Sequence, residues 1–215
     1  MVLHCHQSIG EAEALAATLR RQHGITVTLA HADLADPAGL ETFWHALPPC
    51  GTLILNAATY ERDTLADMQP ATLRRQLAVN LEAPLLLAQG FMAQLPQGTS
   101  GSISVLGDGT LGWSVSPHFF SYAISKHAWV SVIELLAAAV APRARANLIA
   151  LPPTLPNTGE EAMFARLAER APLKRTGTPE EVCATLDFLQ QSPGITGQVI
   201  SLANGMHLTT ARPPQ

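Results

Sequence analysis

The sequence predicts an α/β fold: a doubly wound parallel sheet with helices on both faces, three layers in all. Two observations predict it. Short apolar, β-branched segments alternate with longer helical segments from one end of the chain to the other. No repeat, linker or low-complexity tract interrupts them, so residues 1–215 are expected to form one domain.

The strand segments are 2–5, 25–31, 52–55, 102–106, 146–151 and 198–202. Helical segments lie between and beyond them at 11–22, 40–46, 71–92, 122–140, 160–170 and 180–190. Two helix starts are marked locally. Asp36-Pro37 and Thr178-Pro179-Glu180-Glu181 place a capping side chain, a first-turn proline and, in the second, acids where orphan N–H groups need them.

Composition excludes several classes of function. Apolar residues make up 47% of the chain and charged residues 14%, which suits a packed core and not a disordered segment. A net charge of −4 without runs gives no footprint for nucleic acid or an anionic membrane, so neither is an expected partner. Cys5, Cys50 and Cys183 fit no metal or redox spacing, and the histidines fit no ligand set, so no metal is expected. No apolar run is read as membrane-spanning, and the N-terminus lacks the basic start of a secretory signal. Free thiols in a reducing cytoplasm are the expectation.

In doubly wound sheets ligands sit at the carboxyl ends of the strands. Chemistry concentrates there. Tyr122 and Lys126 are spaced i,i+4 and share one face of the 122–140 helix, as a catalytic pair would and as a solvated edge would too. With them come, in order, Leu55-Asn56-Ala57-Ala58, Val79-Asn80-Leu81-Glu82-Ala83-Pro84, Leu106-Gly107-Asp108, Thr196-Gly197-Gln198 and Asn204-Gly205-Met206. This ordered set resembles the short-chain dehydrogenase/reductase family, with its Rossmann-like sheet, over essentially the whole chain. Leu3-His4-Cys5-His6-Gln7-Ser8, Tyr60 four residues past Asn56, and Asp108 where most members carry Ser are similar to its pteridine-reductase-like branch.

The resemblance implies an NAD(P)-dependent oxidoreductase that reduces a carbonyl or imine, a pterin-like ring included. Tyr122 would be the general acid. Lys126 would move the phenol toward working range and hold the nicotinamide ribose. Asn80 would interrupt its helix to anchor a proton-relay water, and Asp108 would act on the substrate side. The cofactor would further meet Gln7 and Ser8 at the ribose 2′ position, Asp33 and Leu34 at the adenine, Asn56 and Ala57 at its ribose, and Thr154 at the carboxamide. No acid at Gln7 or Ser8 rejects a phosphate, so NADP is favoured over NAD, although Gln7 lacks the charge of an arginine. Tyr60, Trp113, Phe119 and Met163 would wall the small-molecule substrate. The helices at 71–92 and 122–140 are those the family uses to pair subunits, so a homodimer or homotetramer is implied.

Three departures from the family pattern stand out. Asp108 lies one position further from Tyr122 than is usual, which leaves Asp108 and Gly109 as alternatives for one site. Gly107 to Gly112 spells G-x-G-x-x-G, but Pro117 and no helix follow, so it is not a dinucleotide fingerprint. The family's Thr-Gly-x-x-x-Gly-x-Gly turn is absent, and Met1 aligns inside the second strand. A fold missing its first βα unit is therefore expected, with the 2–5 and 52–55 strands each short of a neighbour. A family member that binds no cofactor and acts by pairing with other subunits is the alternative.

Overall fold

Parallel strands cannot be joined by a hairpin, so each must be followed by a crossover, and here helices supply it. The computed structural model describes residues 1–109, 117–156, 159 and 161–208. Along the chain run β1 (Val2–Cys5), α1 (Ile9–His23), β2 (Thr28–His31) and α2 (Pro37–Phe43), which a 3₁₀ turn, Trp44–Ala46, extends. Then come β3 (Thr52–Leu55), α3 (Pro70–Leu77), a π-helical turn (Ala78–Glu82), α4 (Ala83–Gln94) and β4 (Gly101–Asp108). The rest is α5 (Phe120–Val140), β5 (Ala144–Leu151), α6 (Glu161–Arg170), α7 (Pro179–Gln191) and β6 (Val199–Ser201).

Every strand pairing is parallel, but the strands form two sheets. One has the order β1-β2, the other β3-β4-β5-β6. No residue of β1 is fully buried, and Ile54 on β3 is 47% exposed, so both behave as edges. This matches the expectation that strands 2–5 and 52–55 lack a common neighbour.

Local chemistry sets the element ends. Gly24, at φ +64°, closes α1 in a left-handed turn, its N–H donating to Arg20 O. The next strand therefore begins at Thr28, later than the expected residue 25. Asp36 caps α2 by accepting from Ala38 N, and Thr178 with Glu181 forms a reciprocal capping box on α7.

Alternation along the strands divides the core. Ile103, Val105, Ala146 and Leu148 face α4 and α5, where Phe91, Leu95, Trp129, Ile133 and Val140 cover them. Leu106 and Ile149 point the other way, under Leu189 of α7. Gly90 is matched to Trp44: a Cβ there would stand 2.0 Å from the indole ring, so the ring docks on α4 only because position 90 has none. An 18-residue window of the 21-residue α5 has a mean hydropathy of 1.4, apolar enough by length and composition to cross a membrane, as a core helix can also be. Its packing supplies the reason: α5 lies against α3, β4 and β5 as the inner helix of its layer.

Candidate active site

The site is assembled at the N-terminal end of α5. Tyr122 is the third residue of this helix and Lys126 lies one turn on. The Tyr122 hydroxyl donates to the carboxylate of Asp108, the last residue of β4. Of the two residues that sequence left open, Asp108 is the one whose side chain reaches Tyr122. A Cβ on residue 109 would meet Leu151 O at 2.4 Å, so no side chain fits there.

Aromatic rings wall the phenol. Tyr60 packs edge-on against Tyr122 with centroids 4.7 Å apart, and stacks on Phe119 at 4.3 Å. Lys126 is 5% exposed and donates to Leu106 O at 3.2 Å, its Nζ 6.0 Å from the Tyr122 ring centre. The sequence expectation is that Lys126 lowers the pKa of Tyr122; in this arrangement the shift runs upward. Burial first, and the Asp108 carboxylate second, push the phenol well above its ordinary value. Burial likewise lowers Lys126, an effect that Asp108 opposes.

The sign of the Tyr122 shift gives a pH prediction. The folded chain holds this proton above pH ~10, where the unfolded chain releases it. The associated stability is complete below that pH and is lost as pH rises beyond it. The chain has two tyrosines, so one of its two phenolates should appear only as circular dichroism collapses, and Tyr122→Phe should remove that step. Ionisation of both phenols in a folded chain would contradict the buried placement.

Asn80 sits within the π-turn, which bears out the expected interruption of its helix. Its side chain pairs with the Thr59 backbone on both sides, accepting from N at 2.8 Å and donating to O at 2.9 Å, and reaches Ser125 Oγ at 3.0 Å. Its backbone oxygen accepts from Trp129 Nε1 at 2.8 Å. Asn80 and Lys126 are thus tied through adjacent residues of α5.

The other expected residues are placed at strand ends. Gln7 and Ser8 are exposed after β1. Asp33 is exposed after β2, accepts from Ala35 N at 2.8 Å and lies 3.8 Å from His6. Leu34 follows β2 as well, with its side chain buried against Leu40 and Ala83. Asn56 and Ala57 are exposed after β3. Thr154, beyond β5, donates to Pro152 O at 2.9 Å. The Pro152-Pro153 loop is accommodated by Gly177, where a Cβ would stand 2.3 Å from the Pro152 ring. Met163 is 45% exposed on α6. Trp113 lies outside the described residues. Among the described residues no group of three or more His, Cys, Asp or Glu could hold a metal.

Sequence reasoning missed Asp63, Ser125 and Trp129. Ser125 carried a signal, since it shares a face with Tyr122. Asp63 carried none, because its contacts are to residues near 120.

Residues 2–207 match the family model described as enoyl-(acyl carrier protein) reductase. The chain is similar to the alternative dihydrofolate reductase FolM of Brucella canis, solved with NADP. The two are 32% identical with a TM-score of 0.89, over 99% of this chain and 85% of that one. A short-chain dehydrogenase/reductase of Serratia marcescens is 25% identical, with a TM-score of 0.86 over 96% and 86%. Among curated proteins, FixR of Bradyrhizobium diazoefficiens is 34% identical over 76% of this chain and 60% of its own length. Tropinone reductase-like 3 of Erythroxylum coca is 29% identical over 69% and 59%. The chain thus spans about three-fifths of the length of these curated relatives. With Asn56 and Asp108 at strand ends and Tyr122 and Lys126 on the helix that follows β4, this match means that the chain belongs to the short-chain dehydrogenase/reductase family, in its pteridine-reductase-like branch.

Proposed function

We propose that this chain is an NADP-dependent reductase of a carbonyl or imine, with a pterin-like ring as the favoured substrate class. The observation that carries the reading is the half-buried Tyr122 phenol, hydrogen-bonded to Asp108, walled by Tyr60 and Phe119, with the buried Lys126 amine one turn away. The 32% identity to a protein named as a dihydrofolate reductase and solved with NADP supports it.

The residues present fit the nicotinamide half of the cofactor. Among the described residues Lys126 donates to one carbonyl, Leu106 O, so of its three N–H donors others can serve ribose hydroxyls. Asn56 and Ala57 are open at the end of β3, and no acid at Gln7 or Ser8 would repel a 2′-phosphate. Asp33 and the backbone at Leu34 would border the adenine, and Thr154 the carboxamide. NADPH, when bound, would supply the hydride. Tyr122 would give its proton to the substrate heteroatom as negative charge develops there, and burial keeps that donor loaded. Lys126 would stabilise the phenolate that remains. Asn80 O, which accepts from Trp129 Nε1, would hold the water that returns a proton. Asp108 would orient the phenol and accept from a substrate N–H. Tyr60 and Phe119 offer flat apolar faces to a ring, and Met163 would cover it from α6, with Trp113 completing the wall.

Residues 1–215 are read as one domain, working in the cytoplasm, where its three free thiols would stay reduced. Exposed Ile124, Val130 and Leu135 on α5 support pairing with further copies, as a dimer or tetramer. The separation of β1-β2 from β3-β4-β5-β6 favours one other reading, a family member that binds no dinucleotide. Incubating the chain with NADPH and dihydropterins, cyclic imines and aromatic carbonyls separates the two. Loss of nicotinamide absorbance with at least one class is expected; none with any class would sink the reductase reading.

A further inference from the structure

A 21-residue helix that carries two reactive side chains in its first two turns needs its N-terminus fixed, because any slippage there moves Tyr122. Four leading N–H groups lack helical partners. The capping position of α5 is Phe119, which has no polar side chain to meet them. The partner comes from elsewhere in the chain. Asp63, on the connection between β3 and α3, is 6% exposed and accepts from Ser121 N at 3.0 Å and from Ser121 Oγ. The backbones are joined as well. Asp63 N donates to His118 O at 3.1 Å, Phe120 N donates to Asp63 O at 3.2 Å, and Asp63 bridges Phe119 in parallel.

Asp63 is the last of three fastenings along the 59–63 segment. Thr59 is held by Asn80 and Glu61 by Arg75, while Asp63 holds Ser121. Tyr60 lies between these ties, stacked on Phe119 and edge-on to Tyr122. A carboxylate is the side chain suited to a helix N-terminus, where it accepts from orphan donors and meets the positive end of the dipole. Ser121 lies directly before Tyr122, so the length of this contact sets the height of the phenol against Asp108 and Tyr60.

We infer that Asp63 is a positioning residue, the long-range cap that registers the α5 N-terminus and so holds Tyr122 in its reacting place between Asp108 and Tyr60. The inference rests on the reductase reading for its kinetic consequence but not for its structural one. In the full chain, Asp63→Ala is expected to lower kcat by about 10- to 100-fold, the scale of a misplacement near 1 Å. The KM for NADPH should stay nearly constant. Asp63→Asn should recover most of the loss, since its amide oxygen still accepts from Ser121 N and its amide N–H can donate to Ser121 Oγ. Hydrogen exchange at Phe120 and Ser121, and the near-UV dichroism of the adjoining Tyr60 and Tyr122, should change in Asp63→Ala and return in Asp63→Asn.

A general loss of fold would move kcat and KM together and would give no rescue; that pattern overturns the proposal, as does unchanged kcat in Asp63→Ala. If the wild-type chain oxidises no NADPH, it is the reductase reading that fails. Exchange and dichroism then decide the cap by themselves. Unaltered signals in Asp63→Ala overturn it, and altered signals restored by Asp63→Asn support it.

Discussion

Replacing Tyr122 with phenylalanine is expected to lower turnover by about 10²- to 10⁴-fold, the range that a positioned proton donor supplies. The substitution removes one oxygen and leaves the ring that packs edge-on against Tyr60. Lys126 keeps its bond to Leu106 O, so affinity for NADPH should be nearly unchanged. The melting temperature should hold as well, because Tyr122 and its partner Asp108 are both half-buried, so water can replace the lost bond. Single-turnover oxidation of NADPH, set beside a fluorescence titration of the same variant, checks both halves. Retained turnover would remove Tyr122 from the chemistry. Lost binding would mean that the hydroxyl holds the cofactor as well as serving the chemistry.

The largest effect on stability is expected from Trp129→Ala. Trp129 is 1% exposed, packs in the core of α4, α5 and the four-stranded sheet, and donates to Asn80 O. Truncating such a side chain costs about 3–5 kcal/mol, through lost transfer energy and the cavity left behind. For a chain of this size that lowers Tm by about 10 °C. Trp129→Phe separates packing from hydrogen bonding. It fills most of the space but leaves a buried carbonyl without its donor, at about 1–3 kcal/mol. Since that carbonyl belongs to the π-turn, the phenylalanine variant should also lose turnover, whereas a core residue remote from the turn, such as Leu189, should not when trimmed to valine. Thermal unfolding and initial rates on the two variants test this; equal stability of Trp129→Ala and the wild type would contradict the packing described.

The contrast between these residues shows where sequence is informative. Tyr122 and Lys126 were legible because a helix repeats every 3.6 residues, so spacing alone puts them on one face. The alternation of strands and helices was legible for the same reason, each element having its own period. What escaped depends on contacts between distant segments. Asp63 reads as one acid among the turn residues of Glu61-Arg62-Asp63-Thr64, and only the fold brings it to Ser121. That residue 109 has no room for a side chain is set by Leu151 O, on the neighbouring strand. The π-turn could be expected from resemblance, but not its anchor on Trp129. Resemblance places Leu34 beside an adenine, and the burial of its side chain against Leu40 and Ala83 becomes visible only with the fold. The acidity of Tyr122 was misjudged for a similar reason: sequence shows the neighbouring ammonium, whereas burial and the opposing carboxylate appear only in three dimensions.

The central claim is that these residues form a working dinucleotide site, and the most direct test is a titration of the 215-residue chain with NADPH and with NADH, followed by nicotinamide fluorescence. The account predicts saturable binding of NADPH, tighter than NADH, and weakened by Lys126→Met. A folded chain whose fluorescence titration stays linear for both nucleotides would contradict it.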